Sequence, residues 1–396
     1  MKIIKYTYKF RLEPTQEQEI LLNKHFGSVR YVYNYFLNQR KEEYLNNKKS
    51  LTYNQQSSFL TQLKKKEETK WLNEINSQTL QYSLKCLDQA YQNFFNKRTQ
   101  FPKFKSKRNK NSFNSPQYVR VKNNKLLIRK FNDGIEMIME RKIKGTIKHC
   151  SISKTPTEKY FVSILTEQEY QPIQKTNKSV GIDLGIKDFL VLSNGTKTKN
   201  HRFLKYYEST LKLNQKHLSR KTKGSNSYEK QRLKVAKIHE KITNSRMDLI
   251  HKTTSTLINK FDIIYLEDLN IKGMIKNHKL SKAISDVSWG KFIEILEYKA
   301  SWNDKQVIHI DRFFPSSKAC SKCGWINNNL TLKDRNWTCR CGEKHDRDIN
   351  AAINILNEGY RKNISDGTSD YERGAKIRPI SIGTSNETLK KKELVS

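Results

Sequence analysis

Acidic residues are scarce in this chain: 39 Asp and Glu stand against 76 Lys and Arg among 396 residues, a formal charge of +37. Such an excess repels itself unless a polyanion neutralises it, so nucleic acid is the expected partner, held with salt-sensitive affinity. A membrane surface or a merely solvated charge excess fits less well, because aromatics make up 10% of the chain and the basic residues are spread among them. Long apolar runs are missing. No stretch approaches the roughly eighteen apolar residues of a spanning helix, and the opening MKIIKYTYKFRLEPTQEQ has no apolar signal core. The expectation is a cytoplasmic protein with no membrane partner. Cysteine is sparse too. Of six, Cys86 and Cys150 stand alone and read as buried thiols, while the clustered four read, in a reducing compartment, as metal ligands rather than disulfides.

A chain of 396 residues exceeds what one hydrophobic core supports, roughly 250 to 300 residues, so several domains are expected. Residues 1–14 hold an alternating strand, KIIKYTYKFRL, stopped by Pro14. A helix is expected from Thr15, with Gln18 completing a capping box. Residues 15–100 read as a helical lobe, with apolar side chains at three- and four-residue spacing, among them Val29, Val32, Tyr33, Phe36 and Leu37. The aromatics of YVYNYFL at that spacing read as core rather than as a stacking surface. Residues 101–130 contain ten Lys or Arg and no acid, which favours a phosphate-binding surface over a solvated face; Lys103, Lys105, Lys107, Arg108 and Lys110 are the candidates. Short alternating runs to about residue 175 read as a small antiparallel barrel whose first strand is the N-terminal one, making the lobe an insertion.

From Ser179 the pattern changes to apolar strands, NKSVGIDLGIKDFLVLSNGT and FDIIYLEDLN, separated by a long basic helical hairpin and followed by a helix and another strand. Asp183 lies on the first strand, Glu267 near the end of YLEDL, and Asp348 at the start of the helix DINAAINI. Acids at strand ends and a helix start can converge at one end of a sheet, where they suit a pair of hard divalent ions acting on a phosphate. GIDLG also opens actin-like and sugar-kinase folds, but the second glycine-rich phosphate loop those folds need is missing. Asp268 points to the opposite strand face from Glu267, and Asp346 is expected to cap the helix that carries Asp348. Cys320-x2-Cys323 and Cys339-x-Cys341, fifteen residues apart, approach the two-knuckle spacing of a zinc ribbon, with one structural zinc. The second knuckle is one residue short of C-x-x-C, and His345 stands nearby as a substitute ligand.

These ordered segments, together with YKFRLEPTQEQEILLNKHFGSVRYVYNYFL, FPKFKSKR, ISDVSWGKFIEILEYKASWNDKQV and DRFFPSSKACSKCG, resemble the TnpB family encoded by bacterial insertion sequences, the ancestors of type V CRISPR effectors. The resemblance implies an α+β multidomain protein. Residues 176–315 would be a RuvC-like nuclease of the RNase H fold, 316–345 its inserted zinc ribbon and 346–360 its last helix, with a disordered tail over 361–396. The barrel of residues 1–14 and 101–175 would be the wedge domain and 15–100 the recognition lobe. Implied further are an RNA-guided DNA endonuclease with Asp183, Glu267 and Asp348 holding two Mg2+ ions, a guide RNA from the transposon end, a double-stranded DNA target beside a short flanking motif, no required protein oligomer, and a place at the bacterial nucleoid. Tyr53, Gln78 and Gln81 fall where the family contacts the flanking duplex. The alternatives are a catalytically silent guided repressor and a DNA transposase on the same fold.

Overall fold

A computed structural model of the chain describes residues 1–365, less Asn109, Lys110, Lys279 and Leu332. It divides into two compact units, Met1–Gln171 and the part beginning at Pro172. The first unit opens with β1 (Lys2–Glu13), whose buried positions alternate as a strand with one covered face requires. Thr15 then caps α1 (Gln16–Asn47): its side chain accepts from the Gln18 amide while Gln18 returns the bond, the expected capping box. Next come α2 (Tyr53–Leu63), a 3-10 turn over Glu67–Glu74, and α3 (Ser77–Phe95). Strands β2 (Asn111–Ser115), β3 (Arg120–Lys122), β4 (Lys125–Ile128), β5 (Phe131–Ile138), β6 (Thr146–Lys154) and β7 (Tyr160–Tyr170) complete the unit. They form one antiparallel sheet in the order β2-β6-β7-β1-β5-β4-β3. The three helices are thus inserted between the sheet's central strand and its first edge. One core joins both layers, running from Phe36, Leu80 and Leu84 of the helices to Leu12, Leu126 and Val162 of the sheet.

The second unit holds β8 (Ser179–Asp183), β9 (Asp188–Leu192), β10 (Lys197–Lys199), α4 (Phe203–Ser219), α5 (Asn226–Lys260), β11 (Ile263–Glu267), the short α6 (Ile271–Ile275) and α7 (Ser281–Val287), α8 (Trp289–Trp302) and β12 (Gln306–Ile310). After them come a hairpin of β13 (Asn336–Thr338) and β14 (Lys344–Asp346), and α9 (Arg347–Ser365). The sheet order is β10-β9-β8-β11-β12, with β9 and β10 antiparallel and β8, β11 and β12 parallel. Three meandering strands extended by two parallel ones are the RNase H topology. The expected helical break at Gly224 is present as the turn between α4 and α5. The first five residues assigned to the tail, 361–365, are instead helical, because α9 continues to Ser365; residues 366–396 lie outside the described residues.

Each face of this sheet has its own cover. Val180, Ile182, Ile264 and Leu266 pack with α5 and α8, and their alternate neighbours face α9. On that second face the helix comes unusually close. A Cβ on Gly181 would stand 2.2 Å from the Ala352 carbonyl oxygen, and one on Gly359 would stand 2.1 Å from the Tyr265 ring. The helix backbone therefore lies directly on β8, and the fully buried Tyr265 ring of β11 fills the notch that Gly359 leaves on α9. Gly181→Ala should force α9 outward and cost about 2 kcal/mol or more of the second unit's stability, read by urea unfolding. Gly195→Ala, at a turn with nothing within 4 Å of the added Cβ, should lose only the smaller strain of its positive φ.

Candidate active site and metal centre

The close packing of α9 decides where the acids go. Asp183 is two residues beyond Gly181 and Glu267 two beyond Tyr265, so both side chains project from the α9 face at the ends of adjacent parallel strands. Leu266 pairs with Ile182 in register, which places Glu267 beside Asp183 on strands about 4.8 Å apart. Asp348 stands one helical turn before Ala352, which covers Gly181. Three acids far apart in sequence thus meet at one sheet end. The charges report it: burial, then the neighbouring Glu267 and Asp348 carboxylates, push the Asp183 carboxyl up to about 7. Burial also raises Glu267, opposed by a short hydrogen bond that the Ser316 hydroxyl donates to it.

The three are not drawn onto a single point. Among the described residues, the four cysteines are the one group of His, Cys, Asp or Glu spaced to hold a single metal ion, their sulfurs all within 4.8 Å of one another. Asp348 is turned to the Arg335 guanidinium at 3.1 Å. What fits hard divalent cations is the chemistry of the donors, three carboxylates at one sheet end. Asp346 does cap α9, accepting from the Asp348 and Ile349 amides at 3.1 Å each, and its other oxygen meets Lys197 at 2.6 Å. Asp268 pairs with Arg312 at 2.5 Å.

The segment between β12 and α9 carries the cysteines. Cys320 and Cys341 Sγ lie 3.8 Å apart, and Cys323 and Cys339 3.5 Å apart. A tetrahedral zinc with Zn–S near 2.3 Å has sulfur–sulfur edges of about 3.8 Å, so the shortened second knuckle still closes a four-thiolate site. Gly324 and Gly342, at φ 77° and 85°, make the tight knuckle turns. His345 Nε2 sits 3.0 Å from Cys320 Sγ and its ring packs on Trp337, beside the four sulfurs rather than in place of one. This small element is tied to α9 by two buried amides. Asn350 Nδ2 donates to the Ala319 carbonyl at 2.7 Å, and Asn354 Nδ2 donates to Ala319 and Ser316 carbonyls at 2.6 and 2.7 Å. Asn350 Oδ1 accepts from the Ser321 amide at 2.9 Å.

The nucleic-acid candidates lie in the first unit. Lys103, Lys107 and Arg108 are exposed in an irregular segment, and Lys110 lies outside the described residues. Lys105 is exposed as a residue too, but its ammonium lies 3.8 Å from the Tyr33 ring centroid, and desolvation there lowers its pKa. Gln78 and Gln81 share a face of α3. Tyr53 lies under Lys85 of that face, with Gln78 also donating to Gln117 at 2.6 Å. Arg335 and Ser316 were missed from sequence, since neither has diagnostic spacing. Asn350 and Asn354 had a signal in two amides at i and i+4 on an otherwise apolar helix face.

Comparison with known proteins follows from this geometry. A family described as "Probable transposase" matches residues 161–278, and a "Cas12f1-like, TNB domain" matches 289–355, which contains the ribbon. A "Putative RNA-guided DNA endonuclease" of Streptomyces pristinaespiralis is 38% identical over 91% of this chain and 90% of its own. The chain belongs to the TnpB family. An Escherichia coli K12 protein of the same description is 31% identical over 89% of this chain and 92% of its own. The cryo-EM structure of a Cas12f1–sgRNA–target DNA complex has the same fold, with TM-score 0.55 at 14% identity, covering 89% of this chain and 99% of that one. A "Helix-turn-helix domain" matching residues 1–49 is misnamed for this TnpB member, in which α1 is one helix with no turn between residues 16 and 47. No described helix is long and apolar enough to cross a membrane.

Without divalent cations the folded chain retains a proton on Asp183 up to about pH 7, whereas an unfolded Asp releases it near 3.9. The folded state therefore binds more protons between those values, and stability should fall as pH rises from about 4 to about 7. Asp183→Asn should remove that part of the slope in chelator-treated protein, measured by urea midpoints across the range.

Proposed function

We propose that this chain is an RNA-guided, metal-dependent DNA endonuclease of a mobile element. It would cut double-stranded target DNA beside a short flanking motif by phosphodiester hydrolysis. The observation that carries the reading is the meeting of Asp183, Glu267 and Asp348 on one sheet end, where burial first and the two neighbouring carboxylates second raise Asp183 to about 7. Descriptions of the relatives as RNA-guided endonucleases support it, and so does a positive charge far larger than one duplex requires.

Asp183, Glu267 and Asp348 would hold two Mg2+ ions, which when bound would lower the pKa of the attacking water and stabilise the leaving 3′ oxygen. Each neighbouring side chain has a part that follows from its contacts. Ser316 keeps the Glu267 carboxylate turned by its hydrogen bond. Asp346, by capping α9, fixes the position from which Asp348 projects. Arg335 pairs with Asp348 in the resting chain and, with Arg347, would be a guanidinium available to a phosphate at this site. The four cysteines would hold one structural zinc, making the ribbon a metal-folded brace for α9. The partners would be a guide RNA from the element's end and its DNA target, with no protein oligomer required and a setting at the nucleoid. Tyr53, Gln78 and Gln81 would face the flanking duplex.

Asp183→Ala, Glu267→Ala and Asp348→Ala should each lower guided cleavage on the order of a thousandfold or more while co-purifying RNA is unchanged. Normal cutting by any one of them removes that residue from the site. Purified protein should contain one zinc per chain by elemental analysis. Cys339→Ser should abolish both the zinc and cleavage while the first unit's unfolding transition stays in place. Joined DNA ends made by the purified protein would favour the transposase reading instead.

A further inference from the structure

The first unit exposes aromatic side chains that its core does not require. Phe95 ends α3 and is 67% exposed; Phe101 and Phe104, in the irregular segment that follows, are 41% and 49% exposed. Phe95 and Phe101 are joined through the rings of Phe94 and Tyr91, and Phe104 follows three residues after Phe101. Phe101 meets Phe94 and Tyr91 edge-on at 5.3 and 5.6 Å, and Phe95 lies against the same two at 5.4 and 6.2 Å. Phe104 is flanked by the Lys41 ammonium, 5.2 Å from its centroid. The segment is built to hold this position. Asn34 of α1 both donates to the Lys105 carbonyl and accepts from its amide, each at 2.8 Å, and the Lys105 side chain is folded onto Tyr33. A lysine spent in this way anchors the backbone between Phe104 and the following cations.

Charge selects the occupant. Between Asp88 and Asp133 the chain contains no acid, and exposed Lys97, Arg98, Lys103, Lys107 and Arg108 are interspersed with the rings along the segment. An apolar protein partner would bury those cations unpaired. Alternating rings and cations match a strand with unpaired bases, whose π-faces stack on aromatics while its phosphates meet the rim. A rigid exposed patch also calls for a partner that stays, since an apolar surface left open is an association hazard. Under the proposed function the carried RNA is permanent and the DNA target transient.

We infer that Phe95, Phe101 and Phe104 form a stacking platform for unpaired bases of the RNA this chain carries. The inference rests on the RNA-carrying part of the proposed function and adds a surface, and a mode of recognition, to it. The platform tolerates any base, because stacking reads no hydrogen-bonding edge, so it would hold a single-stranded segment without dictating its sequence.

The test uses full-length protein and a single-stranded RNA of about 12 nucleotides carrying 4-thiouridine, with an RNA duplex of equal length beside it. Irradiation should crosslink the single strand to the peptide containing residues 95–108, identified by mass spectrometry. Replacing all three residues by Leu, which keeps apolar bulk but removes the π-face, should weaken single-strand binding at least about tenfold, leaving duplex binding and the melting curve near wild type. Equal affinity of the Leu variant and wild type overturns the platform. So does a change from dimer to monomer in that variant with RNA binding intact, which would make the patch an interface between copies. Guided cleavage by wild type together with either of those results leaves the proposed function standing. Crosslinking at this peptide by a chain that cuts no DNA supports the platform and removes the nuclease reading.

Discussion

The second unit is organised around a helix that two glycines allow to sit unusually close to its sheet. Gly181 and Gly359 are the two points of contact, one on the strand and one on the helix. A methyl group at either would need the space of a carbonyl oxygen or a fully buried tyrosine ring. Because α9 is seated at these points, Asp348 reaches the end of β8 and β11, where Asp183 and Glu267 already stand in register. Carboxylates brought this near repel one another, and the fold supports that repulsion with burial on the opposite sheet face by Ile264, Leu266 and Phe292. A site that is electrostatically unfavourable when empty is one that gains most from cations.

The ribbon belongs to the same construction. It has little core of its own beyond Leu330 and Trp337 beside two of the cysteines, and its four cysteines are spaced as a metal site would need. It is joined to α9 through the Asn350 and Asn354 amides on the Ala319 and Ser316 carbonyls. Ser316 in turn donates to Glu267, and Arg335 from the same inserted segment meets Asp348. Four cysteines followed at once by acids in sequence therefore describe a brace and the helix it holds.

The first unit distributes its lysines by a different logic. Most of the basic run after residue 100 is exposed, as a phosphate-facing surface requires, but Lys105 is folded onto Tyr33 and its backbone is held by Asn34. Charge density alone does not separate cations that meet a partner from cations that hold the partner's surface in shape. Aromatics divide in the same way: Phe36 is fully buried, whereas Phe95 and Phe104 are open.

Features that depend on near neighbours were readable from the residues: the Thr15–Gln18 capping box, the strand ending at Asp183, the knuckle spacing of the cysteines, the cap at Asp346. Each is a local pattern whose chemistry acts within a few residues, so the chain order carries it. That Asp183, Glu267 and Asp348 could converge followed from their places at strand ends and a helix start, but the RNase H topology came from resemblance, since no spacing encodes which strands become neighbours. Only the folded chain decided that Arg335 pairs with Asp348, that α9 runs to Ser365, and that Gly181 and Gly359 are contact points rather than turns. Gly181 and Ala352 lie 171 residues apart and Tyr265 and Gly359 lie 94 apart, while Arg335 and Asp348, only 13 apart, meet because the hairpin turns the chain back. Such contacts are set by packing, which sums small contributions over whole faces and leaves no local mark in the sequence.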